Sequence, residues 1–349
     1  MTEILRPWAL PGPATFVARM CSLADRQKVA VLHAPFAAQA VAEALEGHIA
    51  REGRYGVLRV QQCPQEQFQH SLATNTGLSS GLSSAALATS TTLRHCAIVV
   101  CWRGGPDRSL ASFSRVVAQQ PPGEGPILLV VSEDGGCVLE GHSLEPVRDV
   151  FGPLDGAAYA AALPRGSRPL EARLVYSVAI EVAAWDVALL DRLTALPPAQ
   201  AVRPDLHIDA WDYGELERWR GLSPTWETGC VDYWGGERTE HALWVAANRP
   251  NALAKRVWRG QLAMLLPWIE QYRQAIIEHE KRNLRPDNRS GPDVESLDWG
   301  PLAYQLDRIP VMKRLAQAFR EARNELAHGR PILWSHIRIC IDSARAWRN

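Results

Sequence analysis

The chain has 349 residues, of which 46% are hydrophobic and 22% are charged, a composition typical of a globular protein with apolar residues for more than one core. It contains no run of about 18 apolar residues, so we expect no membrane-spanning helix. The first eight residues lack the basic-then-apolar layout of a signal peptide. Its seven scattered cysteines include no Cys-x-x-Cys pair, which indicates reduced thiols. Together these features predict a cytoplasmic protein.

The formal net charge is zero, but the charge is unevenly distributed. Residues 249–349 contain 18 Lys/Arg against 11 Asp/Glu, a net charge of +7, so residues 1–248 carry −7. A basic C-terminal part has two interpretations: attraction to phosphates, or attraction to the acidic part of its own chain.

The first 165 residues alternate between strand-like and helix-like patterns. A helix-like, alanine-rich stretch covers residues 37–49. Continuous apolar or largely apolar runs of strand length occupy residues 28–33, 55–60, 97–102 and 126–131. Runs without alternation are typical of strands buried on both faces in a parallel sheet flanked by helices. We therefore predict an α/β, Rossmann-like domain over residues 1–165.

A phosphate-binding loop would follow the first of these strands. Residues 33–40 read His-Ala-Pro-Phe-Ala-Ala-Gln-Ala, without the glycines and the Lys-Ser/Thr pair that hold phosphates. The domain therefore resembles at most a degenerate P-loop or Rossmann-like nucleotide-binding domain, and we expect no cofactor. Sensing a ligand or docking a protein partner is the favoured role.

Residues 166–245 are interpreted as a connecting region rich in tryptophan. Residues 170–196 have the apolar spacing of one or two helices. The tryptophans that follow, at spacings of seven to ten residues, do not establish a repeat, and core or interface packing is favoured over base stacking. Glu227, Cys230, Asp232 and His241 lack metal-ligand spacing, so no metal site is expected.

Residues 246–349 predict an all-α bundle. Apolar residues spaced 4, 3, 4, 3 and 4 apart indicate a long helix; they are Trp258, Leu262, Leu265, Ile269, Tyr272 and Ile276. A second helix is expected from about Val311 to His328, because Gly329 suits a left-handed cap and Pro331 cannot continue the helix. A final helix is expected over residues 332–347.

The end of the second helix carries Arg323, Asn324 and His328. This pattern resembles the signature of the HEPN superfamily (higher eukaryotes and prokaryotes nucleotide-binding), in which an arginine, usually followed by a polar residue, precedes a histidine by four to six residues. The resemblance covers residues 246–349. It implies a helical bundle, a ribonuclease whose catalytic residues are Arg323, Asn324 and His328, and a homodimer formed through the C-terminal domain with a composite site.

These residue types suit RNA cleavage without a metal. An imidazole can accept the proton of the 2′-hydroxyl or protonate the leaving 5′-oxygen near neutral pH. A guanidinium can hold two phosphate oxygens through parallel hydrogen bonds. Asn324 would orient one of these groups or bind the phosphate. Because positions five apart on a helix point about 140° apart, Arg323 and His328 can meet only if His328 leaves the helix or if two copies each supply one group.

The spacing alone is weak support, since it recurs at Arg26/His33, Arg273/His279 and Arg330/His336. The Arg-Asn start and the helical context favour residues 323–328. In a purely structural interpretation, Arg323 pairs with a nearby acid, Asn324 is a surface residue and His328 caps the helix C-terminus, where a cation is mildly favoured.

The sequence thus predicts an endoribonuclease that cleaves RNA without a metal, leaves 2′,3′-cyclic phosphate ends, and acts as a toxin or phage-defence effector regulated by its N-terminal domain. Two alternatives remain: a non-catalytic scaffold or adaptor, and a nucleotide-ligand sensor of a defence complex.

Overall fold

A computed structural model of the chain describes residues 7–35, 37–61, 68–103, 107–133, 139, 141–162, 169–207, 213–287 and 290–348. The chain forms two compact units. The first comprises Met1–Leu163 with Ser223–Thr239, and the second comprises Pro164–Leu222 with Glu240–Asn349. Residues 166–245, expected to form a connecting region, are therefore divided between the two units.

The first unit is built on a parallel sheet. Its strands are β1 (Val29–His33), β2 (Gly56–Gln61), β3 (Cys96–Trp102), β4 (Ile127–Ser132) and β5 (Leu144–Pro146). They lie in the order β2-β3-β4-β1-β5, and every neighbouring pair is parallel. The first four strands lie within one residue of the predicted ones; β5, only three residues long, was not predicted.

Helices cover both faces of this sheet. The helices are α1 (Pro11–Gln27), α2 (Ala38–Glu52), α3 (Phe68–Thr76), α4 (Ser84–Ala88), α5 (Arg108–Ala118) and α6 (Pro153–Ala162). Helices α1 and α2 pack on the strand face that carries Ala30 and Leu32. Helices α3, α4 and α5 pack on the face that carries Val29 and Val31. Both faces of β1 are therefore buried, which explains its unalternating sequence and confirms the predicted α/β class.

A short two-stranded sheet also belongs mainly to this unit. It consists of β6 (Val231–Trp234) and β7 (Glu237–Glu240). Gly235 and Gly236 join the strands with φ values of 61° and 81°, a conformation that glycine adopts at little cost.

The second unit is helical, as predicted for the C-terminal part of the chain. Its helices are α7 (Leu170–Ala183), α8 (Val187–Ala195), α9 (Pro198–Ala201), α10 (Tyr213–Trp219), α11 (Ala242–Asn248), α12 (Pro250–Glu280), α13 (Trp299–Gln305), α14 (Pro310–Ala327) and α15 (Trp334–Arg348). Among the described residues, none of these or the other helices combines the length and apolar character needed to cross a bilayer.

An aromatic cluster joins α12, α13 and α14. The Phe319 ring centroid lies 4.7 Å from that of Trp268, 5.3 Å from that of Tyr272 and 5.3 Å from that of Trp299. Tilted and edge-on aromatic pairs at these distances are favourable beyond the area they bury. The cluster fixes α13 against the middle of α14.

Gln261, fully buried on α12, fixes the chain that follows α14. Its amide nitrogen donates to the carbonyl oxygens of Val202 (2.9 Å) and Ile332 (3.0 Å), and its amide oxygen accepts from the Ile332 N–H (2.6 Å). A buried amide with its hydrogen bonds satisfied rigidifies its surroundings. The turn between α14 and α15 is thus tied to the long central helix.

Candidate functional site

The predicted site residues lie at the C-terminal end of α14. The helix ends at Ala327, with His328 as its cap. Gly329 has φ = 73°, its N–H donates to the Leu326 carbonyl (3.1 Å), and the Arg330 N–H donates to the Glu325 carbonyl (3.0 Å). These are the two hydrogen bonds of a Schellman motif, as the glycine after His328 predicted.

Trp258 anchors this helix end to α12. Its indole N–H donates to the Leu326 carbonyl at 2.7 Å, while the Leu326 side chain is fully buried. The last turn of α14 is therefore held on a rigid element. Functional side chains carried on such an element keep a defined geometry.

Arg323 is accessible, and its ion pair with Asp298 is weak. Its side chain is 41% exposed, and Nη2 lies 3.5 Å from Oδ2 of Asp298, whose side chain is 48% exposed. An ion pair this long and this exposed contributes about 1 kcal/mol or less. A phosphate can therefore compete with Asp298 for the guanidinium.

His328 is exposed and Asn324 half-buried. No residue in the described part of the chain hydrogen-bonds to either side chain. Because they are four positions apart on the helix, they lie on the same face. The imidazole is thus free to exchange protons with a bound molecule.

The groups of one copy point in different directions. The His328 N–H still donates to the Asn324 carbonyl at 3.0 Å, the hydrogen bond of a continuing helix, and the backbone departs from helical geometry only at the ψ of His328, 9°. His328 therefore does not leave the helix in the way that would turn it towards Arg323. By helical geometry the two side chains diverge by about 140°.

The structure also reveals the contacts of the purely structural interpretation, namely an acidic partner for Arg323 and a capping position for His328. Neither contact occupies the imidazole nitrogens. The local geometry is therefore consistent with both the structural and the catalytic interpretation. Only the catalytic interpretation gives the His328 imidazole a task, namely proton transfer.

Two of the other Arg/His pairs, Arg26/His33 and Arg273/His279, contain residues that are held by contacts within the protein. His33 is 6% exposed, and its ring packs edge-on against Trp226 at 4.7 Å. Arg273 donates to the carboxylate of Glu270 and to the backbone carbonyls of Glu295 and Leu297. In each pair, therefore, at least one member is held by packing or by hydrogen bonds within the protein.

The remaining spacing, Arg330/His336, is exposed but paired with acids. Arg330 Nη1 lies 3.8 Å from Glu325, and His336 Nε2 lies 3.3 Å from Glu321. Because it has the same residue types in the same region, this pair is a matched control for Arg323 and His328.

A nearby thiol is not a competing nucleophile. The Cys340 Sγ on α15 donates to the Ala318 carbonyl of α14 at 3.5 Å. Burial raises the pKa of this thiol to about 12, so it is protonated at neutral pH.

Two residues of this region were missed in the sequence. Asp298, the partner of Arg323, is 25 positions away in the chain, and only the packing of α13 on α14 brings it close. Arg320 is exposed and lies one turn before Arg323; its three-residue spacing from Arg323 on a predicted helix was the available signal.

At the carboxyl edge of the sheet in the first unit, Arg103 and Glu133 form an ion pair at 2.8 Å. The turn after β1 contains Ala34, Pro35 and Ala37; Phe36, a member of the predicted degenerate loop, lies outside the described residues. The described residues of this turn therefore include no lysine that could bind a phosphate.

Comparison with known proteins gives no match: no protein-family model, curated protein or solved structure is similar to this chain. The resemblance to HEPN proteins therefore depends on Arg323, Asn324, His328 and the helical setting alone.

Proposed function

We propose that the helical unit is a metal-independent endoribonuclease of HEPN type. Arg323 holds the scissile phosphate, His328 transfers protons, and Asn324 orients the imidazole or binds the phosphate. The observation that carries the proposal is the exposed His328 imidazole, without a described partner, on the same helix end as Arg323, whose weak ion pair with Asp298 a phosphate can replace.

In this reaction the ribose 2′-oxygen attacks the adjacent phosphorus while an imidazole accepts its proton. The bond from phosphorus to the 5′-oxygen breaks, and that oxygen takes the proton from the same His328 imidazole, which returns to its neutral form. The products are a 2′,3′-cyclic phosphate and a free 5′-hydroxyl. The guanidinium stabilises the charge that builds on the phosphate oxygens.

A homodimer can bring together an arginine and a histidine that do not meet within one copy. Since Arg323 and His328 of one chain diverge, a symmetric pair brings the arginine of one copy to the histidine of the other. The protein would act in the cytoplasm as a toxin or phage-defence effector, with the first unit as its regulatory or partner-binding part; this role rests on family analogy.

The test is cleavage of labelled RNA in EDTA by the wild type, Arg323→Ala, His328→Ala, and the matched control Arg330→Ala/His336→Ala. We expect cyclic-phosphate products from the wild type and the control. We expect losses of roughly 10²-fold or more in the two site variants. No cleavage by the wild type, or equal cleavage by all four proteins, contradicts the proposal and favours a scaffold or a sensor.

A further inference from the structure

Tyr304 on α13 is the most exposed aromatic residue near the candidate site, with 84% of its surface accessible. A single exposed apolar side chain is common and needs no functional explanation. What distinguishes Tyr304 is that Arg320 lies beside the face of α13 that carries it.

The orientation of α13 is set by its buried residues. Trp299, Leu302 and Leu306, which follows the helix, face the core. Gly300 and Tyr304 are four positions apart and share the opposite flank of the helix. Along the axis they are separated by about 6 Å.

Arg320 lies against this flank. A β-carbon built on Gly300 would be 4.0 Å from Arg320 Nε, so the guanidinium reaches the side of α13 that carries Tyr304. Arg320 is exposed, and within the described ranges no carboxylate or other acceptor holds its guanidinium.

The candidate site lies on the same side of the contact between α13 and α14. Arg323 is one turn beyond Arg320 on α14, and its partner Asp298 immediately precedes α13. Tyr304, Arg320 and the partly exposed Arg323 therefore lie in this order along one side of the contact between the two helices, a surface here called the Tyr304 strip.

Guanidinium groups beside an accessible aromatic ring match the chemistry of single-stranded nucleic acid. The arginines attract phosphates, and the ring offers a surface on which a base can stack. A duplex hides its base faces, so it can use the arginines but not the ring.

Building on the proposed function, we propose that the Tyr304 strip binds single-stranded RNA. Tyr304 stacks on a base, and Arg320 contacts a phosphate next to the one held by Arg323. The substrate class is therefore unpaired RNA, and the nuclease selects it by this stacking contact.

The test is fluorescence anisotropy of the full-length protein with a labelled 2′-O-methyl oligouridylate. This RNA lacks the attacking hydroxyl, so binding is measured independently of cleavage. We expect Tyr304→Ala to weaken binding about tenfold. Tyr304→Phe, which keeps the ring, should bind as the wild type does, and Tyr233→Ala in the first unit serves as an exposed-tyrosine control.

For the arginine, we expect Arg320→Ala to weaken binding and to reduce the slope of log affinity against log salt by about 0.7. Arg314, exposed on α14 and about 120° away around the helix, is the matched control, and Arg314→Ala should bind like the wild type. All variants should melt as the wild type does, because the altered side chains are exposed.

Unchanged affinity in Tyr304→Ala overturns the proposal, as does an equal loss of affinity for blunt duplex RNA. If the wild type cleaves RNA while Tyr304→Ala binds normally, only the strip is refuted. If binding requires Tyr304 while the wild type cleaves no RNA, the strip stands and the nuclease assignment fails.

Discussion

Asp298 performs two tasks at once. Its Oδ1 accepts the Trp299 N–H at 2.8 Å and so caps α13, while its Oδ2 faces Arg323 at 3.5 Å. The carboxylate therefore stabilises a helix start and competes with any phosphate for the guanidinium. The two tasks can be separated, because an amide can cap a helix but cannot neutralise an arginine.

We predict that Asp298→Asn improves the nuclease. Asparagine caps a helix about as well as aspartate, so the free energy of unfolding should change by less than about 0.5 kcal/mol. Losing an exposed ion pair worth up to about 1 kcal/mol should lower KM for RNA by roughly two- to fivefold. Steady-state cleavage kinetics measure this effect.

Asp298→Ala is the companion variant, since it removes both the carboxylate and the cap. It should lose about 1 kcal/mol of stability and still gain affinity for RNA. An increase in KM in both variants would show that Asp298 assists Arg323 and does not compete with RNA.

At the scale of elements, α7 and α12 approach each other at Gly260. A β-carbon built there would lie 2.6 Å from Val178 Cα and 2.8 Å from the Ser177 carbonyl oxygen. The Ser177 hydroxyl also donates to the Gly260 carbonyl at 2.8 Å. The two helices therefore meet backbone to backbone, a contact that a larger residue cannot keep.

We predict that Gly260→Ala destabilises the helical unit by about 1–3 kcal/mol, because backbone atoms must move apart, although alanine is the better helix former by about 1 kcal/mol. Urea denaturation measures the change. Gly47→Ala in α2 is the control: a β-carbon there meets nothing within 4 Å, so stability should rise by up to about 1 kcal/mol. A stabilised Gly260→Ala would contradict the close contact.

At the scale of the whole molecule, the proposed site needs two copies of the chain, each giving one of the diverging groups. In a mixed dimer of Arg323→Ala and His328→Ala, one composite site loses both groups and the other keeps both. If each site lay within one chain, both sites of the mixed dimer would be defective.

We predict that equal amounts of the two inactive variants, mixed and allowed to exchange subunits, recover about a quarter of wild-type activity. Half of the dimers would then be mixed, with one of their two sites intact. Sedimentation equilibrium establishes the dimer, and cleavage of labelled RNA measures the recovery. If activity stays at the level of the single variants, Arg323 and His328 either act within one chain or do not form a catalytic site.

Much of the fold was predictable because its signals are local. Both faces of the central strands are buried, so residues such as Val29 and Ala30 are apolar without alternation. The end of α14 was predictable from Gly329, since a left-handed cap is a property of one residue and its neighbours. Arg323, Asn324 and His328 were identified as candidates on the same local basis.

The partners of those residues were not predictable from the sequence, because long-range contacts leave no local pattern. Residues 166–245 read as one segment, but the chain divides them between two units according to which core each part packs against. Trp258 and the buried Gln261 looked like ordinary positions on a helix, although each bonds to backbone more than 50 residues away.

The sequence by itself determined the four longer strands of the parallel sheet, the long C-terminal helices, the glycine cap and the identity of the candidate catalytic groups, since each depends on residues close together in the chain. Only the tertiary structure decided that Arg323 faces Asp298 and that Arg320 lies beside the flank of α13 that carries Tyr304. Those outcomes depend on how α13 packs against α14, which is set by the aromatic cluster around Phe319.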